Sequence, residues 1–210
     1  MQAKPRRPYV SRLRAEGASE TRLRILAASE AVLESEPFEP FSLDAVARKA
    51  GVTRLTLYHQ FGGRRGLLEA LFDTLATRSG MTRLAEAVTA ADPEAGLALL
   101  ITIFCGFWGS AHRVLKRLYG ATAADPELAQ SLSERDQRRR RLLTVIVGRL
   151  AERRAAGDRQ IEELVDVVFA LTSFVMFDAL SDGRDGATTC SLIMQLAGDA
   201  IARTIKEPRT

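Results

Sequence analysis

The chain has few of the residues that mark disulfide-rich or metal-binding proteins. Its 210 residues include two cysteines, two histidines and one tryptophan. A disulfide framework needs several paired cysteines, and a metal site needs His, Cys and acidic residues at ligand spacing. One disulfide is arithmetically possible between Cys105 and Cys190, but two isolated cysteines are more typical of reduced core residues. We therefore expect two free thiols, no metal and no cofactor.

Long hydrophobic runs and strand signals are missing as well. No stretch approaches the roughly 18 unbroken apolar residues of a membrane span, and the basic first 20 residues lack the apolar run of a secretory signal. No Asn-Gly or Asp-Gly pair joins two alternating runs as a hairpin would. The sequence thus predicts a soluble, cytoplasmic, all-α protein.

Helix punctuation is frequent along the chain. Ser19 and Ser42 can cap helices, and Asp92-Pro93 and Asp125-Pro126 each combine a capping side chain with proline at the first helical position. Two short helices are predicted between residues 42 and 61, and longer ones over about residues 19–35, 66–77, 94–118, 127–154, 160–180 and 188–206. The buried stripe of the first helix is predicted to be Leu23, Leu26, Ala27, Ala31 and Val32 or Leu33.

The excess positive charge lies in the N-terminal third. Residues 1–70 contain 12 Lys and Arg against 8 Asp and Glu, whereas residues 71–210 contain 18 of each. This asymmetry indicates an N-terminal unit that meets a polyanion and a neutral remainder with another role.

Two undersized helices stand close together in SLDAVARKAGVTRLTLYHQF, residues 42–61. Neither reaches the roughly 12–15 residues at which an isolated helix becomes marginal in water. Gly51 supplies the backbone freedom of a tight turn between them, which is the plan of a helix-turn-helix. Both helices must then bury one face against a third, which residues 19–35 provide. The predicted buried set is Leu43, Val46, Ala47, Val52, Leu57 and Phe61.

The second short helix leaves a polar face outward that fits a DNA major groove. Arg54 can donate two hydrogen bonds to a guanine, and Thr56 can bond a base or a phosphate. Tyr58 and His59 are placed to donate to phosphates, and the pair Arg64-Arg65 adds charge just beyond the helix. The alternative is an exposed helical hairpin in an ordinary bundle, with these side chains solvated.

This segment resembles the N-terminal domain of the TetR family of transcriptional regulators. The matching residues, within about 20–75, are Gly51-Val52, Thr53-Arg54, Leu55, Thr56-Leu57-Tyr58, His59-Gln60, Phe61, Gly62-Gly63-Arg64 and Leu67-Leu68. The chain length and the helical remainder fit the family more weakly. The resemblance implies a DNA-binding regulator with an N-terminal helix-turn-helix and a C-terminal helical domain for ligand binding and dimerisation.

The resemblance also implies residue roles. Base-reading positions fall on Arg54, Leu55 and Thr56, and phosphate contacts on Thr53, Tyr58, His59 and Arg64. Leu55 departs from the family, where Gly, Ala or Pro is frequent. In GGRRG, Arg65 replaces an acid and makes the turn after the helix more basic, which should steepen the salt dependence of binding.

A long basic arm precedes the first predicted helix. Its positive residues are Lys4, Arg6, Arg7, Arg12 and Arg14. Short basic tails are often unused, and the alternative is an arm that follows the DNA backbone or enters the minor groove.

The C-terminal part offers no recognisable catalytic set, so the sequence predicts no enzyme. No Ser-His-Asp or Cys-His arrangement can be assembled around its one histidine. Aromatic and small polar residues instead gather on two of its helices: Phe104, Phe107, Trp108 and His112, and Phe169, Thr172, Ser173 and Met176. A packed core explains any one of them. Together they predict a pocket for an apolar or aromatic molecule, with His112, Thr172 or Ser173 as polar anchors.

Two further features concern helix surfaces. The run Arg138–Arg141 is interpreted as a solvated face with intrahelical ion pairs, not as a second nucleic-acid patch. The last two predicted helices are apolar on more than one face, which predicts a homodimer through them. Its two DNA-reading units would sit one helical turn apart on a palindromic site.

Together with the resemblance to the TetR family, the sequence implies a ligand-responsive dimeric repressor that leaves its operator when an effector binds. Its predicted parts are a basic arm (1–18), a helix-turn-helix domain (19–65) and a helical ligand-binding and dimerisation domain (66–210). Two alternatives stay open: the same fold acting as an activator or under a protein partner, and a helical enzyme or carrier.

Overall fold

The computed structural model describes residues 8–35, 41–154 and 156–205, with side chains from residue 16 onward in those ranges. All regular structure in these ranges is helical, which confirms the predicted all-α class. The helices are α1 (Pro8–Leu33), α2 (Leu43–Ala50), α3 (Arg54–Phe61), α4 (Arg64–Arg78), α5 (Leu84–Thr89), α6 (Pro93–Ser110), α7 (His112–Ala121), α8 (Pro126–Arg153), α9 (Asp158–Leu171), α10 (Phe174–Leu180) and α11 (Gly186–Thr204). The turns Met81–Arg83 and Thr122–Ala124 are 3-10 helices.

The chain divides into two compact units inside α4. The first unit ends at Thr74 and the second begins at Leu75. Each unit buries its own apolar core, so each is described by itself.

The first unit packs α1 against α2, with α3 joined to α2 through a tight turn. α1 begins at Pro8 instead of the predicted Ser19, so residues 8–18 of the predicted arm are helical. The predicted stripe of α1 is also shifted, because Leu23 is 63% exposed. The buried face comprises Ile25, Leu26, Ala28, Ser29, Val32 and Leu33.

The buried face includes one serine, whose hydroxyl is hydrogen-bonded. The Ser29 hydroxyl donates to the Ile25 carbonyl oxygen at 2.9 Å. A hydroxyl that bonds its own helix is tolerated inside an apolar stripe. That local bond is why the true face runs through a polar residue that hydrophobicity alone would skip.

The second unit is built around α6, which packs against α5, α8 and α11. α6 is long and apolar enough to cross a membrane by length and composition alone, and more than half of it is buried inside the unit. A helix that is apolar nearly all round belongs in a core when neighbours cover it. Gly96 marks the closest approach, since a Cβ there would lie 2.4 Å from the Ala87 carbonyl oxygen of α5.

Two predicted helices of this unit are broken, and one helix was missed. The predicted helix over 94–118 divides at Ala111 into α6 and α7, and that over 160–180 divides at Thr172 and Ser173 into α9 and α10. α5 and the turn before it follow α4 where no helix was predicted. The caps at Asp92 and Asp125 are where the sequence predicts them, each accepting backbone N–H bonds of the next helix.

Candidate functional site

The turn between α2 and α3 is closed by its own residues. Ser42 starts α2 by accepting from the Ala45 amide at 3.1 Å. Gly51 ends α2 in the left-handed region, with φ at 65°, and its N–H bonds back to carbonyls of α2. Thr53 then starts α3, its hydroxyl accepting from the Thr56 amide at 3.2 Å. The sequence signals for a helix-turn-helix are thus used for that purpose.

Two arginines of α1 donate hydrogen bonds to carbonyl oxygens at the ends of these short helices. Arg24 Nε donates to the Ala50 carbonyl oxygen at 3.1 Å, at the end of α2. Arg22 NH1 donates to the Gln60 carbonyl oxygen at 2.8 Å, and its guanidinium lies 4.3 Å from the centre of the Phe61 ring. Both bonds satisfy carbonyls that a helix end leaves without partners. Sequence reasoning missed these residues, because nothing local pairs position 22 with position 60.

α3 presents one face outward and holds the opposite face in the core. Leu57 is fully buried, whereas Leu55 is 65% exposed and Tyr58 is 44% exposed. Arg54 and His59 are exposed as well. The Leu55 side chain is therefore accessible to an external surface.

Arg54 lies along the surface of α3 and is held there by two neighbours. Its NH1 is 3.1 Å from Asp44 Oδ2 of α2, and its guanidinium is 5.8 Å from the centre of the Tyr58 ring. Hydrogen bonding with Tyr58 and the negative charge of Asp44 raise the pKa of Arg54. The side chain is therefore a permanently charged donor on an exposed face.

The other predicted DNA contacts lie around this face with internal partners of their own. The hydroxyl oxygens of Thr53 and Thr56 are 2.9 Å apart. The Arg64 guanidinium lies 5.6 Å from the Phe41 ring centre, and Arg65 Nε donates to Glu69 Oε1 at 2.8 Å. These exposed contacts are weak and can be exchanged for phosphate oxygens.

The predicted basic arm falls largely beyond what the structure describes. The structure does not describe Lys4, Arg6 and Arg7. The other two positive residues of the arm, Arg12 and Arg14, lie within α1. Further along the same helix, the Ala18 carbonyl oxygen accepts from Gln60 Nε2 of α3 at 3.5 Å.

In the second unit, the predicted aromatic residues are brought together as a packed cluster. The Trp108 ring centre lies 4.8 Å from that of Phe107 and 5.7 Å from those of Phe104 and Phe174. The Tyr119 ring stacks on Phe174 at 4.7 Å. The buried position of Trp108, 4% exposed, makes it a sensitive reporter of this cluster.

The break between α9 and α10 borders the cluster and frees two carbonyl oxygens. The Ser173 amide bonds to Ala170, and the Met176 amide bonds to the Ser173 hydroxyl at 3.1 Å. The carbonyls of Phe169 and Thr172 therefore lack the i+4 amides they would bond in an unbroken helix. Side chains replace them: Arg139 NH1 donates to Phe169 O at 2.7 Å, and Trp108 Nε1 donates to Thr172 O at 3.0 Å.

Arg139 corrects the interpretation of the arginine run as a solvated face. It is 3% exposed, and its NH1 also donates to Thr172 Oγ1 at 2.7 Å. Its NH2 bonds Asp136 at 3.1 Å, and its guanidinium lies 4.2 Å from the Phe169 ring centre. Burial lowers the pKa of Arg139, against the opposing charge of Asp136. The Nε atom is buried and has no hydrogen-bond partner among the described residues.

A pattern in the sequence could have located Arg139. It stands seven residues after Leu132 and seven before Ile146, both buried on α8. Seven residues are almost two helical turns, so the three share one face. The neighbours Arg138 and Arg141 are exposed, as the interpretation of a solvated face requires.

The polar anchors predicted for a pocket have partners within the unit. His112 Nε2 lies 2.7 Å from Asp178 Oδ1, and Lys116 Nζ lies 3.0 Å from the same oxygen. Burial acts to raise the pKa of Asp178, but hydrogen bonds from Lys116 and His112 bring it below its usual value. Thr172 Oγ1 lies between Arg139 and the Val168 carbonyl oxygen, to which it donates at 2.8 Å. Ser173 caps α10. A small molecule bound at these residues would have to replace their hydrogen bonds to other groups of the protein.

An open groove runs along α6 and α11, on residues other than the predicted pocket set. Its volume is about 670 Å³. The lining residues are Thr102, Cys105, Gly106, Gly109, Gly186, Ala187, Cys190, Ser191, Met194 and Gln195. Both cysteines of the chain therefore line this groove.

Most apolar residues of the last helices, predicted to form a dimer interface, are already buried inside their own unit. Val168, Ile193 and Ala197 are nearly inaccessible, whereas Val175 is 65% exposed and Leu196 is 36% exposed. The apolar surface left for a partner is thus concentrated at a few positions of α10 and α11.

Among the described residues, no group of three or more His, Cys, Asp or Glu side chains is arranged to hold a metal ion.

Comparison with known proteins agrees with this geometry. The model of the bacterial regulatory proteins of the tetR family matches residues 25–71. The chain is 27% identical over 175 residues to the HTH-type transcriptional regulator EthR of Mycolicibacterium smegmatis, covering 82% of this chain and 80% of that protein. It is 32% identical over 110 residues to EthR of Mycobacterium tuberculosis, covering 51% of each.

A solved structure extends the likeness to both units. A TetR transcription regulator from Haloarcula marismortui has a TM-score of 0.67 and 16% identity, covering 87% of this chain and 96% of that one. At this identity the likeness establishes the fold alone.

Proposed function

The chain belongs to the TetR family of transcriptional regulators, and from that premise we propose that it is a dimeric repressor released from a palindromic operator by a small molecule. Binding to DNA follows from the family. The sign of regulation, the dimer and the effector are the proposal. The observation that carries it is the outward face of α3, where charged, hydroxyl and apolar side chains stand exposed on a helix with a buried opposite face.

Each exposed residue of α3 has a distinct use in a major groove. Arg54, in the first turn, would exchange Asp44 for a guanine and donate two hydrogen bonds to O6 and N7. Leu55 would pack against a thymine methyl, and Thr56 would contact a base or phosphate. Thr53, Tyr58 and His59 would bond phosphates, as would Arg64 and Arg65. The Leu55 contact distinguishes the operator, because it favours A·T pairs at that position.

Binding as a dimer would supply both affinity and the palindrome. Two copies joined through the last helices would set their α3 helices one DNA turn apart, roughly 34–36 Å. The exposed Val175 and Leu196 support this surface. Sedimentation of Leu196→Glu should show monomer at concentrations where the wild type is dimeric. The control is Leu23→Glu, which changes a more exposed leucine in the first unit (63% against 36% for Leu196) and should leave the dimer intact.

The effector would bind in the aromatic cluster of the second unit, lined by the predicted Phe104, Phe107, Trp108, His112, Phe169, Thr172, Ser173 and Met176. The buried Nε of Arg139 supports an effector that combines an aromatic or apolar body with a hydrogen-bond acceptor, since a buried donor without an acceptor is costly. α4 contains residues of both units, so it is the element through which effector binding would change operator affinity. The effector must bind the released state more tightly for this to happen.

The decisive experiment measures binding to the DNA upstream of the protein's own gene across a salt series. Arg54→Ala should lose roughly tenfold to a hundredfold of the preference for that DNA over random duplex, because one bidentate base contact is removed. Arg141→Ala is the matched control: it removes the same exposed side chain from the second unit and should leave the preference unchanged. Equal binding of the wild type to both duplexes would contradict operator reading at this DNA.

Effector binding can be tested with the same protein and its only tryptophan. Aromatic carboxylates and their uncharged amides, titrated in parallel, should change Trp108 fluorescence and release the operator over the same concentration range. A compound that releases DNA with no change in fluorescence would place the effector elsewhere. Release by a protein and by no small molecule would favour the alternative of a partner-controlled regulator.

A further inference from the structure

The two cysteines of the chain lie on two neighbouring helices of the second unit and line the same groove. Cys105 lies on α6 and is buried, and Cys190 lies on α11 and is half-buried. Both are free thiols, and both line the groove along these helices. The helices that carry them pack against each other. The sequence favours two unrelated core thiols, whereas the fold makes them a pair.

α6 and α11 pack directly against each other. Gly106 and Gly109 of α6 and Gly186 and Ala187 of α11 line the groove beside the two cysteines. A disulfide requires Cα atoms within about 7 Å. Direct packing of the two helices is the condition that such a bridge needs.

The pair is open to solvent-borne reagents from one side. The groove has a volume of about 670 Å³, which is ample for a small oxidant. Leu196, the exposed apolar residue of α11, stands six residues after Cys190. At about 100° per residue it projects roughly 120° away around the helix. A partner subunit bound over Leu196 would therefore leave the thiol side of α11 accessible.

We propose that Cys105 and Cys190 form a redox-active dithiol that closes to a disulfide between α6 and α11 when a hydroperoxide enters the groove. This site is separate from the DNA-reading face and from the aromatic cluster, and its chemistry does not depend on the proposed effector.

The environments of the two thiols assign their order of reaction. The attacking species is the thiolate. Burial, together with the Cys190 hydrogen bond, raises the pKa of Cys105, which keeps it protonated. Cys190 is the more accessible of the two and attacks first. Cys105 then acts as the resolving thiol from the facing helix of the same groove.

The steps balance with the hydroperoxide as the sole oxidant. The Cys190 thiolate forms an S–O bond to the terminal peroxide oxygen, the O–O bond breaks, and the departing alkoxide takes a proton to become an alcohol. The Cys105 sulfur then forms the S–S bond as the S–O bond of the sulfenic acid breaks, and the Cys105 proton leaves with the hydroxide as water. Two thiols are oxidised by two electrons, and one hydroperoxide is reduced to an alcohol and water.

The test uses the full-length protein, reduced, freed of reductant and exposed to hydrogen peroxide. The expected product has lost two hydrogens by intact mass, has no free thiol after denaturation, and yields a peptide that joins Cys105 to Cys190. It migrates as a monomer in a denaturing gel without reductant, and dithiothreitol restores both thiols. Wild-type protein that retains both thiols, gains oxygen without forming the bridge, or forms the bridge between chains would overturn the proposal.

Two variants test the order of attack. Cys105→Ala should stop at a Cys190 sulfenic acid that dimedone traps. Cys190→Ala should slow peroxide consumption by roughly tenfold or more, because the remaining thiol is buried. Equal rates for the two variants would overturn the assigned order. Circular dichroism checks that each variant is folded, and the peptide joining the two cysteines in the wild type tests the bridge without any variant.

Discussion

Two sharp breaks between short helices are closed in different ways in the two units. In the first unit, Gly51 and Thr53 end α2 and start α3 with their own backbone and side-chain groups. In the second unit, carbonyls freed between α9 and α10 are satisfied by Arg139 and Trp108 from other helices. A turn held by hydrogen bonds between its own residues keeps its geometry when neighbouring helices move. A break whose carbonyl oxygens accept from side chains of other helices does not. The turn of the helix-turn-helix thus relies mainly on its own residues, with one added bond from Arg24 of α1 to the Ala50 carbonyl oxygen. The break beside the aromatic cluster relies on side chains of other helices for the carbonyl oxygens of Phe169 and Thr172.

The largest effect is expected from removing the hydrogen bonds that Arg139 donates to the break between α9 and α10. Arg139→Met keeps the length of the side chain but leaves Phe169 O and Thr172 Oγ1 without their buried donor. Because each unsatisfied buried acceptor costs about 1–3 kcal/mol, we expect a loss of about 2–4 kcal/mol in the free energy of unfolding. Urea unfolding followed by Trp108 fluorescence measures it.

An exposed arginine of the same helix provides the matched control. Arg141→Met should change the free energy of unfolding by less than about 0.5 kcal/mol, as exposed substitutions usually do. If the Arg139 and Arg141 variants unfold at the same urea concentration, Arg139 does not hold the break between α9 and α10.

The next test changes Gly51, the residue that ends α2. Gly51 has a φ of 65°, and a Cβ there would meet nothing within 4 Å, so only the backbone opposes a side chain. Gly51→Ala should destabilise the protein by about 1–2 kcal/mol, the cost of a left-handed residue other than glycine. Far-UV circular dichroism in urea measures the change.

A helical glycine gives a control of opposite sign. Gly148 lies within α8, and a Cβ there also meets nothing within 4 Å. Gly148→Ala should stabilise the protein by about 0.5–1 kcal/mol, because alanine loses less backbone freedom in a helix. Destabilisation of similar size by both substitutions would show that space, and not backbone conformation, decides the outcome.

The contrast between local and remote closure also explains what the sequence could predict. Ser42, Gly51, Asp92 and Asp125 each act on residues within four positions, and each has the role that its neighbours in sequence predict. The all-α class follows from such signals. The resemblance to the TetR family rests on residues within one short stretch, 51–68.

Features that depend on distant residues were not predictable in the same way. The break at Thr172 contains no glycine or proline, and Arg139, which stabilises it, lies on another helix. Arg22 and Arg24 bond carbonyls of α3 and α2 that only the fold brings within reach. The meeting of the two cysteines is likewise a product of tertiary packing.

A smaller effect is expected from the cap of α3. Thr53→Ala removes the hydroxyl that accepts from the Thr56 amide, which should cost about 1 kcal/mol. Thr53→Ser keeps the hydroxyl and should stay within a few tenths of a kcal/mol of the wild type. Thermal unfolding of both variants measures the cap, and an equal loss in both would assign the effect to the threonine methyl.

The smallest expected effect concerns the ion pair between Asp44 of α2 and Arg54 on the exposed face of α3. In the proposed mode of binding, Asp44 would compete with DNA for Arg54 and would place a negative charge beside the predicted phosphate contacts. Asp44→Asn should raise operator affinity by roughly twofold to fivefold at low salt, since exposed pairs are weak and screened. Affinity for random duplex should rise less, because only operator binding uses the released Arg54 on a base. Fluorescence anisotropy with both duplexes measures the difference.

The double variant separates competition from charge. In an Arg54→Ala background, Asp44→Asn should raise affinity for both duplexes equally, because no arginine remains to be released. A fall in operator affinity on Asp44→Asn alone would mean that Asp44 orients Arg54 for the groove. The local contacts of the turn would then also position the side chain proposed to read the base, and α2 would take part in recognition through a single carboxylate.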